Sequence, residues 1–116
     1  MKVSEIVRVL NAKVLCGQDR LDEEITAAFA SDMMSDALAF MSDNMLLLTG
    51  MVNTHVIRTA EMLDVHCILF VRGKPVPEEV LEMAMEQNMT VLSTDKILYV
   101  CCGMLYERGL KGCVRT

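Results

Sequence analysis

Three short segments carry residue types suited to holding an anion. They are Thr49-Gly50 with Asn53, Arg72-Gly73-Lys74, and Ser93-Thr94 followed by Asp95. Each combines glycine, hydroxyl or capping side chains with the start of a predicted helix. Backbone N–H groups at such a start face outward and attract negative charge. Arg72 and Lys74 add two cations. The chemistry this suggests is binding of a nucleotide or another phosphorylated small molecule. Its candidate residues are Thr49, Gly50, Asn53, Arg72, Gly73, Lys74, Ser93 and Thr94. Plain loop chemistry is the competing explanation, because every strand-to-helix connection needs a cap and often a glycine.

Signatures of catalysis are weaker. A phosphate loop requires G-x-x-x-x-G-K-[ST]. Position 68 is Ile and position 75 is Pro, so Gly73-Lys74 does not complete one. His55 and His66 are the only histidines, and neither stands in the context of a Ser or Cys nucleophile. Asp32, Asp36 and Asp43 offer carboxylates for a metal or for acid–base work. Asp32 reads more simply as a helix cap and Asp43 as a turn residue. The five cysteines, at positions 16, 67, 101, 102 and 113, contain no CxxC pair and show no zinc-ligand spacing. They read as reduced thiols acting as small hydrophobes. The expectation is a chain without metal, cofactor or catalytic activity.

Composition narrows the partners. With 116 residues the chain has room for one domain, taken as 1–116. A hydrophobic fraction of 53% and eleven methionines supply a real core and leave apolar surface for a partner. The net charge of −5 and an aromatic share of 4% argue against nucleic acid, which needs clustered cations and stacking rings. The apolar runs, Met45–Leu48 and Cys67–Val71 among them, fall far short of the ~20 residues that cross a bilayer. The first ten residues mix charges into the apolar pattern, unlike a signal peptide. A cytoplasmic location is expected.

The elements that must position the rim follow from periodicity. Val3, Ile6, Val7 and Leu10 predict an amphipathic helix. Ala12–Cys16 and Ile25–Ala30 predict strands, separated by a turn at Gly17-Gln18-Asp19. Ser31 or Asp32 caps a short helix that carries Met34, Ala37, Leu38 and Met41 on one face. Met45–Leu48 predicts a strand, and Asn53 caps a helix to about Leu63. Cys67–Val71 is continuously apolar, as in a strand covered on both faces. Pro77 opens a helix running to about Gln87. Thr90–Leu92 predicts a strand, and Ser93-Thr94 caps a last helix bearing Ile97, Val100, Cys101, Met104 and Leu105. Gly109 closes it. Strands starting at Met45, Cys67 and Thr90 stand about 22 residues apart with helices between, the spacing of parallel crossovers. The fold class is α/β: one three-layer domain with a small, mainly parallel sheet and helices on both faces. The two amino-terminal strands break this alternation and could run in another direction.

The run from Leu46 to Ala84, LLLTGMVNTHVIRTAEMLDVHCILFVRGKPVPEEVLEMA, followed by Val91-Leu92-Ser93-Thr94, resembles the DRTGG domain family. The segment Ala30–Phe40 is similar to the stretch preceding the core motif in free-standing members. Such domains occur in nucleotide-regulated CBS-domain pyrophosphatases, in some phosphotransacetylases, and as short proteins of anaerobic bacteria. Their fold is similar to the amino-terminal domains of HPr kinase/phosphorylase and of muramoyl-peptide ligases. The family name reflects Asp-Arg after one strand and Thr-Gly-Gly after the next. The stretches compared with it here are Thr49–Asn53 and Val71–Lys74, the second keeping one glycine, Gly73. The resemblance implies a regulatory or assembly module, often dimeric and without catalysis. Two readings compete: a sensor of a phosphorylated ligand, and a homodimerising adaptor for a metabolic or redox enzyme.

Overall fold

The computed structural model describes residues 1–113. Its elements are α1 (Val3–Leu10), β1 (Lys13–Cys16), a single 3₁₀ turn at Gln18–Arg20, β2 (Ala27–Ala30), α2 (Met34–Phe40), β3 (Met45–Thr49), α3 (Thr54–Met62), β4 (Cys67–Phe70), α4 (Glu78–Glu86), β5 (Thr90–Ser93) and α5 (Leu98–Glu107). The sheet order is β1-β5-β4-β3-β2. β2, β3, β4 and β5 are mutually parallel, and β1 joins β5 antiparallel. The amino-terminal third therefore divides, with one of its strands following the sheet direction and the other opposing it.

This winding explains the layers. From β2 to β5 every crossover steps one strand in the same direction. Crossovers share one handedness, so α2, α3 and α4 must all lie on one face. The other face is left to the terminal helices, α1 and α5. The strand side chains obey this division with period two. Leu47, Ile68, Phe70 and Val91 pack with Met34, Ala37, Val56, Ile57, Ala60, Val80 and Ala84. Leu46, Leu48, Cys67, Leu69, Val71 and Leu92 pack with Val3, Ile6, Leu10, Cys101 and Leu105. Fully burying each Val, Leu, Ile, Phe or Met among them contributes about 1.5–3 kcal/mol.

Local signals place the helix ends. The Asn53 carboxamide oxygen accepts from the Val56 N–H at 3.1 Å, a side-chain cap for α3. At the end of α5 the Leu110 N–H donates to Leu105 O and the Gly109 N–H to Tyr106 O. With Gly109 at φ 102 this is a Schellman closure, and Leu110 is buried beneath it.

Three expectations need correction. Leu38 of α2 is exposed, while Met34, Ala37 and Met41 are buried. Ile97 and Val100 are also exposed, because α5 starts at Leu98 and its inward stripe is Cys101 and Leu105. Finally, neither Asp32 nor Thr94 caps a helix: the residues before α2 and α5 are Met33 and Ile97, without a side-chain cap. Both polar side chains are used elsewhere, with consequences for the rim.

Candidate functional site

Parallel strands bring their carboxyl ends to one edge, so Ser31-Asp32, Thr49-Gly50, Val71–Lys74 and Ser93–Asp95 meet there. Gly50 is the centre of the arrangement. Its N–H donates to Asp32 Oδ1 at 2.7 Å, and the same oxygen accepts from the Thr49 hydroxyl at 3.1 Å. Its carbonyl accepts from Lys74 Nζ at 3.0 Å and from Arg72 Nη2 at 3.4 Å. A Cβ at Gly50 would collide with the Arg72 guanidinium. The missing side chain is thus what lets Arg72 lie over the Gly50 peptide.

The β4–α4 connection turns sharply. Arg72 has φ 68 and Gly73 φ 62, two successive left-handed residues. Gly73 tolerates this conformation, but arginine does not, at a cost of about 1 kcal/mol. The turn is held by Arg72 N–H to Lys96 O and Gly73 N–H to Thr94 O, both at 2.9 Å. Among the described residues, neither Arg72 nor Lys74 has a carboxylate within ion-pair distance. Two cations therefore lean on a single carbonyl, unneutralised, on a chain of net charge −5.

The Arg72–Gly73 ridge separates two clefts. One, of about 250 Å³, opens between β1, β5 and the β4–α4 loop, with Lys13, Gly73, Lys74, Ser93 and Asp95 in its lining. Lys13 reaches it because the antiparallel register sets it opposite Ser93. The other, of about 340 Å³, lies on the α5 side of the ridge and includes Asp32, Gly50, Arg72, Ile97 and Tyr99.

The eight residues singled out in the sequence separate by what their polar atoms do. Gly50, Arg72, Gly73, Lys74, Ser93 and Thr94 line the clefts, Thr94 with its hydroxyl already engaged. Thr49 is fully buried, and its hydroxyl both donates to Asp32 and accepts from the Met51 N–H. Asn53 is occupied by its cap. The Thr94 hydroxyl donates to Leu10 O at 3.0 Å, tying β5 to the end of α1, and accepts from the Lys96 N–H. These three hold loops in place. Sequence reading placed Asp95 beside the rim and weighed Asp32 only as a cap or a metal or acid–base carboxylate; it did not bring Lys13, Ile97 or Tyr99 to the clefts. Asp32 had a positional signal, since it stands two residues after an apolar strand candidate, at that strand's carboxyl end.

The carboxylate–histidine possibilities do not assemble. His66 pairs with Asp64 at 2.9 Å on the exposed surface at the other end of the sheet. Among the described residues no group of three His, Cys, Asp or Glu side chains is arranged to hold a metal. All five cysteines are unpaired. Burial pushes the Cys67 thiol up to about 12 and the Cys101 thiol up to about 11, so neither is a thiolate at neutral pH. No helix among the described residues is long and apolar enough to cross a membrane.

A five-stranded, mostly parallel sheet with helices on both faces and a polar rim at its carboxyl edge defines a three-layer α/β domain. The chain belongs to the DRTGG domain family, whose pattern matches residues 5–105. Its fold is similar to a solved structure of the CBS and DRTGG domains from the regulatory region of Clostridium perfringens pyrophosphatase, complexed with the activator diadenosine tetraphosphate. The TM-score is 0.75 at 17% identity, covering 90% of this chain and 45% of that one. This chain thus spans less than half of the pyrophosphatase chain. No curated protein matches the sequence.

Proposed function

We propose that this chain is a non-catalytic regulatory module that takes a phosphorylated ligand, a nucleotide foremost, on the carboxyl edge of its sheet. The observation that carries this reading is Arg72. It is held at a positive φ, beside Lys74, and among the described residues neither cation has a carboxylate within ion-pair distance. The other non-glycine residues at positive φ among those described are Asn11, Asn44, Asp64 and Asn88. Asn and Asp adopt that conformation readily, and arginine does not. Strain kept at such a position supports a functional use of the side chain. The nucleotide bound by the pyrophosphatase regulatory region supports the same ligand class. Five unpaired thiols suit a cytoplasmic setting.

Thermal denaturation with a panel of nucleoside phosphates and inorganic polyphosphates tests the proposal. A ligand binding only the folded chain raises the midpoint with concentration. The expected result is a rise for wild type that disappears in the Arg72→Ala/Lys74→Ala double variant. An unchanged midpoint across the panel contradicts it.

A second reading, a homodimerising adaptor, is favoured by one observation. Along α5 and just before it, Ile97, Tyr99, Val100 and Tyr106 are all exposed, an apolar strip that a partner would cover. Light scattering at micromolar concentration should then give twice the chain mass. A monomer removes this reading.

A further inference from the structure

We infer that the 340 Å³ cleft between the Gly50 peptide and the start of α5 is a nucleoside subsite, in which Tyr99 stacks on the base and Asp32 accepts from the ribose hydroxyls. The inference rests on the phosphate-binding reading of Arg72 and Lys74 and adds the identity of what is joined to the phosphate.

Three kinds of chemistry follow one another from the ridge, where Lys74 faces the other cleft, across this one. Arg72 and Lys74 sit together on the Gly50 carbonyl, at the ridge. The N–H of the same residue, in the preceding peptide, holds Asp32 through Oδ1 alone. Asp32 Oδ2 has no partner among the described residues and remains a free acceptor on the cleft wall. Beyond it stands the Tyr99 ring, 85% exposed, with Ile97 56% exposed beside it. A nucleoside phosphate presents the complementary parts: an anion, a pair of hydroxyl donors, and a flat ring. A carboxylate taking ribose hydroxyls is a general solution for nucleotide sites. An aromatic face accepts any base, because every base has a π-face. The cleft volume also falls at the lower end of the about 300–1,000 Å³ typical of small-molecule sites. Inorganic phosphate alone would use the ridge and leave Asp32 Oδ2 and the Tyr99 ring unengaged.

Tyr99 makes a clean test, because so exposed a ring can be truncated without unfolding the chain. The full chain is titrated calorimetrically with ATP, GTP and tripolyphosphate, as wild type, Tyr99→Ala and Tyr99→Phe. Base stacking on one ring is worth about a tenfold change in affinity or more. The inference predicts that Tyr99→Ala weakens ATP or GTP by about tenfold, that Tyr99→Phe restores it, and that tripolyphosphate binds all three proteins equally. If wild type binds the nucleotides no better than tripolyphosphate, or if Tyr99→Ala leaves nucleotide affinity unchanged, the nucleoside subsite is wrong while the phosphate reading survives. If tripolyphosphate and both nucleotides all fail to bind wild type, both readings fall together.

Discussion

The two ends of the parallel sheet are built from the same kinds of turn and look quite different. At the amino edge, the helix-to-strand connections pass through Asn44, Asp64 and Asn88, with φ of 61, 58 and 56. These residue types tolerate that conformation. The space there is filled: a hollow of about 30 Å³ remains among Glu23, Glu24, Asn44 and His66. Gly17 lies against Thr90 so closely that a Cβ would stand 2.6 Å from the Thr90 Cα. At the carboxyl edge, an arginine occupies the same kind of backbone position, two cations share one carbonyl, and two clefts stay open. One edge is arranged for stability. The other keeps strain and unneutralised charge, as functional sites do at the expense of stability.

The sharpest way to break this contrast is to substitute glycines at both edges. Gly17→Ala meets backbone rather than a movable side chain and adds strain at φ 86. A loss of about 3 kcal/mol or more is expected from denaturant midpoints. Gly50→Ala meets only the movable end of Arg72. Although Gly50 is buried, displacing that flexible end should cost only about 1 kcal/mol, clearly less than Gly17→Ala, yet weaken any ligand held by Arg72.

Between these extremes lie two further effects. Cys67 begins β4 at the amino edge, and burial raises its thiol from 9.0 to about 12, with Glu23 adding to the rise. Below pH 9 the thiol is protonated whether the chain is folded or unfolded, so it adds no pH dependence. Between pH 9 and 12 the unfolded chain loses the proton first, and stability falls as pH rises. The slope approaches the one-proton value of about 1.4 kcal/mol per pH unit. Urea titrations from pH 8 to 11 should show this fall in wild type and a shallower one in Cys67→Val. A smaller change is expected at the carboxyl edge. Arg72→Gly should stabilise the chain by about 1 kcal/mol, by releasing the left-handed strain. Asn88→Gly, at the amino edge, should gain clearly less.

The sequence made the centre of the fold legible, because β3, β4 and β5 are short apolar runs bounded by glycine, proline and capping residues at even spacing. Asn53 is a local signal, and it caps the helix expected of it. The edges of the sheet were harder. Whether β2 runs with β3 is decided by pairing such as Ala28 with Leu46, which no local pattern announces. Asp32 illustrates the consequence. A polar residue just before a helix reads as a cap, but once β2 lies parallel to β3 its carboxylate reaches the Gly50 N–H instead. Thr94 was misread for the same reason, since its hydroxyl holds the Leu10 carbonyl 84 positions away. Lys13 and Tyr99 reach the clefts only through the antiparallel pairing of β1 and the start of α5 at Leu98. The cations were visible in the sequence, and the walls around them were not.

The central claim is that Arg72 is kept at a cost to the fold because it holds a phosphorylated ligand. Thermal melting of Arg72→Gly beside wild type, each with and without ATP, tests both halves at once. The account predicts a higher midpoint than wild type without ATP and little or no further rise when ATP is added. A lower midpoint without ATP, or an ATP-induced rise equal to that of wild type, would contradict it.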